Sequence, residues 1–154
     1  MRTFRAFLFA AALVFSFSST AGSDESAIRA VLEAQAAAWN RADLPGFMEG
    51  YWKSDELRFA SGGSVTKGWQ ATFESYRRRY STPEKMGTLA FSDLVIEILS
   101  PDAALVTRRF ALARNDGPLQ GVFTLIFRKF DAGWRIVYDH SSEDVLPLAI
   151  VGQE

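Results

Sequence analysis

The chain has 154 residues, of which 48% are hydrophobic and 23% are charged, and its formal net charge is −1. This length is typical of one domain with a buried core. The near-neutral charge argues against a nucleic-acid partner, and the absence of cysteine excludes disulfides, thiol nucleophiles and cysteine-based zinc sites. With His140 as the single histidine, we predict no metal site and no cofactor.

The first 21 residues have the pattern of a secretory signal peptide. Arg2 and Arg5 precede an apolar run over 6–17, and small residues follow as far as Ala21. The run is shorter than the roughly 20 residues that a membrane span needs. We therefore predict a signal peptide at 1–21 that is cleaved near Ala21, with an uncleaved anchor as the alternative. The mature domain, 22–154, would be exported to the periplasm or secreted, without a membrane segment.

Three helices are predicted in the first half of the chain. The segment 24–42 places a set of mainly apolar residues on one helical face: Ile28, Val31, Leu32, Gln35 and Trp39. Asp43 can cap a short second helix over 44–51. After Gly68, a third helix carries an aromatic stripe: Trp69, Phe73, Tyr76 and Tyr80.

Strands dominate the second half. A short strand at 57–60 precedes a turn at 61–64, and four longer strands follow: 89–99, 103–114, 120–130 and 134–141. The apolar positions change parity near Ser92 and Asp93, which predicts a β-bulge there. Because the helices come before the strands, the pattern indicates an α+β fold.

Alternation along the last strand predicts the inner face of the sheet. Side chains alternate across a strand, so one face carries an aromatic and apolar set that we turn inward: Trp134, Ile136, Tyr138 and His140. The short turns then place Thr124 opposite His140 and Arg109 opposite Thr124. A one-residue slip would exchange Arg109 for Arg108. Asp139 falls on the other face, where a salt bridge or a turn cap is expected.

The opposite face of the sheet is strongly apolar in this assignment. It carries Val106, Phe110, Leu112, Phe123, Leu125, Phe127 and Val137. Such a surface is too apolar to face water. It predicts a homodimer through this outer face, or alternatively a C-terminal tail, 145–151, that covers it.

Several short segments, in their order and spacing, carry a family resemblance. They are 38–44 (AWNRADL), 51–52 (YW), 57–59 (LRF), 68–69 (GW), 121–125 (GVFTL) and 134–142 (WRIVYDHSS). Together they resemble the nuclear transport factor 2-like superfamily, particularly its ketosteroid isomerase homologues and domains of unknown function, with SnoaL-like polyketide cyclases and the kinase II association domain as relatives. The resemblance implies three N-terminal helices packed on a strongly curved antiparallel sheet, a cone-shaped roll with a pocket.

The resemblance leaves the function open. The superfamily includes isomerases, dehydratases, cyclases and non-enzymatic modules. Its steroid isomerases use a carboxylate base opposite an oxyanion hole, and no such pair can be matched here. Asp55, Glu56 and Asp93 are available carboxylates, but none stands in a matching motif.

We predict a pocket for a small, partly apolar ligand, which can carry an anionic group. Its walls would be Trp39, Tyr51, Trp69, Phe73 and Tyr76, with Arg109 and Thr124 as polar binding residues. The alternative is that the aromatic residues are core and that Arg109 pairs with Asp93 or Glu97.

Three functions are compatible with such a pocket. The first is an exported binding protein. The second is an isomerase, dehydratase or cyclase that uses His140 with Tyr138, although His140 can also be purely structural. The third is a dimerisation module without a working pocket. An enzyme needs an acid or base within reach of a substrate-sized void, whereas a binding protein needs only the void.

Overall fold

The structure is a computed structural model that describes residues 20–144, with side chains from residue 22 onward. The predicted signal peptide, apart from the backbone of its last two residues, and the tail at 145–151 lie outside the described residues.

Four helices occur in this part of the chain. They are α1 (Thr20–Asn40), α2 (Leu44–Met48), α3 (Trp69–Arg79) and the one-turn α4 (Pro83–Met86). The first three match the predicted helices, and α4 was not predicted. Asp43 caps α2 as expected, since its carboxylate accepts a hydrogen bond from the backbone N–H of Gly46 at 2.8 Å. No helix within 20–144 has the length and apolar character to cross a membrane.

Within residues 20–144, six strands form one sheet in the order β2-β1-β6-β5-β4-β3. Their bounds are β1 (Arg58–Ser61), β2 (Ser64–Lys67), β3 (Thr88–Ser100), β4 (Ala103–Ala113), β5 (Leu119–Phe130) and β6 (Gly133–Glu143). All neighbours are antiparallel except β1 and β6, which run parallel. The predicted bulge in β3 is present between Ser92 and Val95, where Asp93 adopts a φ of 52°. The α+β prediction is confirmed.

The core fills the space between the helices and the concave face of the sheet. Residues of α1 and α2, such as Leu32 and Met48, are almost fully buried against strand residues, such as Phe127 and Ile136. Hydrogen bonds fasten α1 to β3, because the Asn40 side chain donates to the carbonyl of Leu89 and accepts from its N–H, at 3.0 and 2.7 Å. The helices therefore close one side of the sheet.

A bulge in β6 overturns the predicted inner face. Phe127 pairs with Ile136, but Ile126 pairs with Tyr138, so Val137 is an extra residue on β6. An extra residue shifts the alternation by one position. Trp134 and Ile136 therefore point inward as predicted. Beyond the bulge, the prediction of inward-pointing side chains at Tyr138 and His140 is wrong, because Asp139 and Ser141 face the helices instead.

The predicted register between β4 and β5 is also wrong. Arg109 pairs with Val122, and Thr107 pairs with Thr124, two residues away from the expected match. The turn after β4 is longer than the assumed two-residue hairpin, since β4 ends at Ala113 and β5 begins at Leu119. Thr124 does lie opposite His140, as predicted.

The residues assigned to an outer dimer surface lie mostly in the core. Val106, Leu112, Phe123, Leu125 and Phe127 are each less than 10% exposed and pack beneath the helices. Phe110 is half-buried against the same cluster. They cannot form a contact between two copies of the chain in this fold. This face of the sheet can be strongly apolar because the chain's own helices cover it and keep it from water.

Candidate functional site

A cavity of about 90 Å³ lies between the helices and the concave face of the sheet. A single water needs about 10–15 Å³, so the void is larger than a hydration site. Its wall is mostly aromatic and aliphatic, with a small polar group at one side. The lining includes Leu32, Trp39, Phe47, Tyr51, Phe59, Tyr76, Tyr80, Phe91, Phe110, Leu119, Phe123 and Leu125, and its polar members are Gln35, Ser61, Arg79, Asp139, Ser141 and Glu143.

Asp139 is the buried carboxyl of this cavity. Its side chain is 4% exposed, and it accepts hydrogen bonds from the hydroxyls of Tyr51 at 2.7 Å and Ser141 at 2.8 Å. Burial raises the pKa of Asp139 to about 6, although the two hydrogen bonds and the charge of His140 act in the opposite direction. A carboxyl with such a pKa exists in both protonation states near neutral pH, as a proton-transfer group requires.

The backbone around β6 brings Tyr51 to this carboxyl. Residues 50–52 run alongside the strand, because the N–H of Ile136 donates to the carbonyl of Gly50 and the N–H of Trp52 donates to the carbonyl of Ile136, both at 2.9 Å. Tyr51 is thus held beside Ile136, which precedes Asp139 on β6 by three residues. Burial, and then the nearby Asp139 charge, raises the pKa of the Tyr51 phenol well above its ordinary value. Tyr51 therefore stays a neutral hydrogen-bond donor.

An aromatic cluster forms the wall opposite the sheet. Trp39 contacts Phe47 and Tyr80 edge-on, with ring centroids 5.0 and 4.8 Å apart. Its indole N–H donates to the carbonyl of Met86 at 3.0 Å, so the ring is fixed by a hydrogen bond as well as by packing. Tyr76 packs against Phe47 with a centroid distance of 5.5 Å. These contacts hold the wall rigid.

An ion pair lies at the open side of the cavity. Arg79, at the end of α3, donates to Glu143, near the end of β6, at 2.6 Å. Both side chains also line an adjoining polar groove, together with His140 and Ser142. Their side chains are 49% and 43% exposed, so this pair meets solvent and marks the mouth of the cavity.

The structure separates the predicted polar site residues from the cavity. His140 is exposed and lies in the adjoining groove, and Tyr138 is half-buried on the outer side of the sheet. Thr124 and Arg109 share that outer side, and Arg109 pairs with Asp144 instead of Asp93 or Glu97. The assignment of these four residues to the pocket wall is wrong, because it depended on the uninterrupted alternation of β6.

The predicted aromatic residues are divided. Trp39, Tyr51 and Tyr76 line the cavity. Trp69 and Phe73 stack on each other with centroids 5.3 Å apart and pack against the core beside it. The Trp69 indole donates to the carbonyl of Met48 at 3.1 Å, which is a structural contact between α3 and α2.

Asp139 and Ser141 are the site residues that the sequence reasoning missed. The carboxylates Asp55, Glu56 and Asp93, which it did consider, are exposed. A usable signal was present in the alternation of β5. Its Phe123, Leu125 and Phe127 side is far more apolar than its Val122, Thr124 and Arg128 side. Taking the more apolar side as the core would have turned Asp139 inward, because Asp139 pairs with Leu125.

Comparison with known families shows to which family the chain belongs. The family model of the SnoaL-like domain matches residues 28–147. The chain belongs to this family. Among solved structures, a nuclear transport factor 2-like protein of unknown function from Shewanella oneidensis is 39% identical. The match covers 77% of the present chain and 98% of that protein, with a TM-score of 0.74. No curated protein matches the chain.

Two further structures share the fold of this SnoaL-like domain at lower identity. A nuclear transport factor 2-like superfamily protein from Salmonella enterica is 18% identical, with a TM-score of 0.65 over 87% of this chain and 100% of its own. A ketosteroid isomerase-like protein from Erwinia carotovora is 21% identical, with a TM-score of 0.64 over 79% of this chain and 96% of its own. At these identities the likeness concerns the fold alone.

Proposed function

We propose that this SnoaL-like domain binds a small, partly apolar molecule in the cavity between its helices and its sheet. The observation that carries the proposal is an aromatic void that ends at a buried, hydrogen-bonded carboxyl. Pockets for small molecules are typically apolar, with a few polar groups that orient the ligand. Asp139, Tyr51 and Ser141 would be the orienting group.

A titration with a neutral aromatic fragment tests the binding proposal. Benzamide added to ¹⁵N-labelled protein should give saturable shifts of amides in β5 and β6. Leu119→Trp, which replaces an aliphatic side chain at a cavity-lining position with a large indole ring, should abolish these shifts. Leu99→Trp is the matched control, because Leu99 is 60% exposed and does not line the cavity. Unchanged binding in Leu119→Trp, or no binding to the wild type, would contradict the proposal.

A second candidate function is proton transfer at carbon. The buried carboxyl with a pKa of about 6 favours it. The Asp139 carboxylate would remove a proton from a carbon next to a carbonyl, giving an enolate and a protonated Asp139, and would then return the proton to the same or a neighbouring carbon. Isomerases and cyclases use this chemistry without a redox step. In this proposal Asp139 replaces His140 and Tyr138 as the reacting group.

Exchange of carbon-bound hydrogen tests this second candidate. The protein should accelerate deuterium incorporation into 2-indanone in D₂O, with a rate that rises with pH through about 6 as Asp139 ionises. Asp139→Asn should lower the enzymatic rate by about 10²–10⁴-fold. His140→Gln should leave the rate at pH 8 unchanged, since His140 lies outside the cavity and Asp139 is ionised at that pH with or without the charge of His140. If the wild type binds benzamide but does not accelerate exchange, the proposal of proton transfer is refuted and the proposal of a binding protein stands.

We also propose that the protein is exported and acts outside the cytoplasm. The support is the leader pattern of residues 1–21. Cleavage after Ala21 would remove the first two residues of α1 and keep Asp24. That buried side chain accepts hydrogen bonds from Lys129 at 2.6 Å and Trp134 at 3.1 Å. N-terminal sequencing of protein exported by its native host should give Gly22, and a chain that starts at Met1 would refute cleavage.

The homodimer is retained as a proposal with a different surface. On the outer side of the sheet, Val122 and Ile126 are 41% and 37% exposed, next to the half-buried Leu105 and Tyr138. A second copy seated on this patch would bury it. Ile126→Asp should then shift sedimentation from dimer to monomer, and a wild type that sediments as a monomer would refute the proposal.

A further inference from the structure

Arg108 is an inward-facing arginine on β4. It stands between Val106 and Phe110 on the concave side of the sheet, and it lies opposite Phe123 in the ladder with β5. Its guanidinium carbon lies 4.4 Å from the centroid of the Phe91 ring. Phe91, Phe110 and Phe123 all line the cavity. Arg108 does not itself line the void, because the Phe91 ring of the cavity wall covers its guanidinium.

The guanidinium of Arg108 is short of partners. Its Nε and Nη1 are buried and have no hydrogen-bond partner within the described residues. These two atoms carry three N–H donors. Three other inward polar side chains, those of Gln35, Asp139 and Ser141, each have a hydrogen bond. A buried cation without a partner is costly, and its contact with Phe91 compensates only in part.

Arg108 and the two charged residues that act on it together carry a net positive charge. The charges that act on it come from α1, where Arg29 opposes its protonation and Glu33 favours it. Burial is the larger influence, and it lowers the pKa of Arg108. Glu33 is exposed and makes no ion pair with Arg108. One acid shared between two guanidinium groups leaves a net positive charge.

We propose that Arg108 binds the anionic group of the cavity's ligand, so that the ligand is an organic anion with an apolar body. This inference rests on the proposed binding function and adds the ligand's chemical class. The apolar part would occupy the aromatic void, and a carboxylate or a similar oxyanion would accept hydrogen bonds from Nε and Nη1 once the Phe91 ring, which covers the guanidinium in this structure, turns aside. Arg109, the residue first expected in this role, points outward to Asp144.

A matched pair of probes and a matched pair of variants test the proposal. Benzoate and benzamide have the same shape and differ in charge. The wild type should bind benzoate at least fivefold more tightly than benzamide, as measured by NMR titration at pH 7.5. Arg108→Met should weaken benzoate binding at least tenfold and change benzamide binding less than twofold. Arg109→Met, the control on the neighbouring residue, should change neither, and Arg108→Lys should recover part of the preference.

Stability provides a second readout that separates ligand binding from a structural role. Because Nε and Nη1 of Arg108 are buried without a hydrogen-bond partner in the described part of the chain, Arg108→Met should not lower the melting temperature, whereas loss of a structural arginine would. Equal affinity of the wild type for both probes, equal loss of both in Arg108→Met, or a lowered melting temperature would overturn the proposal. If neither probe binds the wild type, the binding function itself fails. If benzamide binds and benzoate has no advantage, only the role of Arg108 fails.

Discussion

Replacing Asp139 with Asn should stabilise the folded protein at neutral pH. Burial holds the pKa of Asp139 at about 6 in the folded state, whereas an aspartate in an unfolded chain titrates at about 3.9. A difference of about 2 pH units corresponds to about 3 kcal/mol of unfavourable free energy for keeping the carboxylate ionised in the fold. A neutral amide of the same shape does not incur this cost.

The sign of the pH dependence follows from the raised pKa. Between about pH 4 and pH 6 the folded state binds a proton that the unfolded state has released, so the free energy of unfolding decreases as the pH rises through this window. The advantage of Asp139→Asn should therefore be near zero at pH 4, grow through the window and level off above pH 7. At that plateau the variant should be more stable by about 2–3 kcal/mol. The gain does not exceed this because the Asn side chain presents an N–H donor where one carboxylate oxygen accepted a hydrogen bond. Ser141 can accommodate the change by accepting instead of donating.

Urea unfolding at pH steps from 4 to 8 measures this difference. Asp102→Asn is the control of opposite sign, because the hydrogen bond from Ser100 and the charge of Arg128 lower the pKa of that exposed carboxyl. Its contribution to stability is present above the unfolded pKa of about 3.9 and is lost only below it, so Asp102→Asn should be less stable than the wild type by a nearly constant amount between pH 5 and pH 8, where the advantage of Asp139→Asn changes. An Asp139→Asn variant that is less stable than the wild type at pH 7.5 would refute the reasoning on Asp139.

Two further predictions concern the mouth of the cavity and the sheet. Arg79→Gln removes the ion pair with Glu143. Because both side chains are roughly half exposed, the free energy of unfolding should fall by less than about 1 kcal/mol. NMR line shapes should show that benzamide enters and leaves the cavity faster in this variant. Gly121→Ala should destabilise the protein by several kcal/mol in thermal unfolding, because its new Cβ would lie 2.0 Å from the carbonyl oxygen of Ser142 on β6. Gly62→Ala, whose Cβ meets no atom within 4 Å, should cost only about 1 kcal/mol for its positive φ. A Gly121→Ala variant as stable as Gly62→Ala would contradict the close approach of β5 and β6.

Local patterns were sufficient for most of the elements. The spacing of Leu32 and Trp39 determines a helical face, Asp43 has the side chain that caps α2, and the parity change near Asp93 reveals the bulge in β3. Each of these features depends on neighbours within a few residues, so the sequence alone records them. The hairpin between β1 and β2 escaped prediction because Ser64–Lys67 is a short, mostly exposed strand without a marked apolar pattern.

The candidate site was decided by contacts between distant segments. Val137 becomes an extra residue in β6, and in the same part of the strand Ile136 pairs with residues 50–52, more than 80 positions earlier in the chain. No residue near Val137 marks the bulge, since Val fits a regular strand equally well. The bulge turns Asp139 inward and His140 outward, which exchanges the titratable side chain that faces the cavity.

The sequence by itself determined the composition of the two faces of the sheet, and the tertiary structure decided which of them the helices cover. The apolar side carrying Phe123 and Leu125 was recognised from alternation, yet alternation cannot say whether a helix or a second chain covers it. Packing of α1 and α2 settles that question for the chain. The pKa of Asp139 and the unpartnered state of Arg108 likewise depend on burial, which is a property of the assembled core and not of neighbours in sequence.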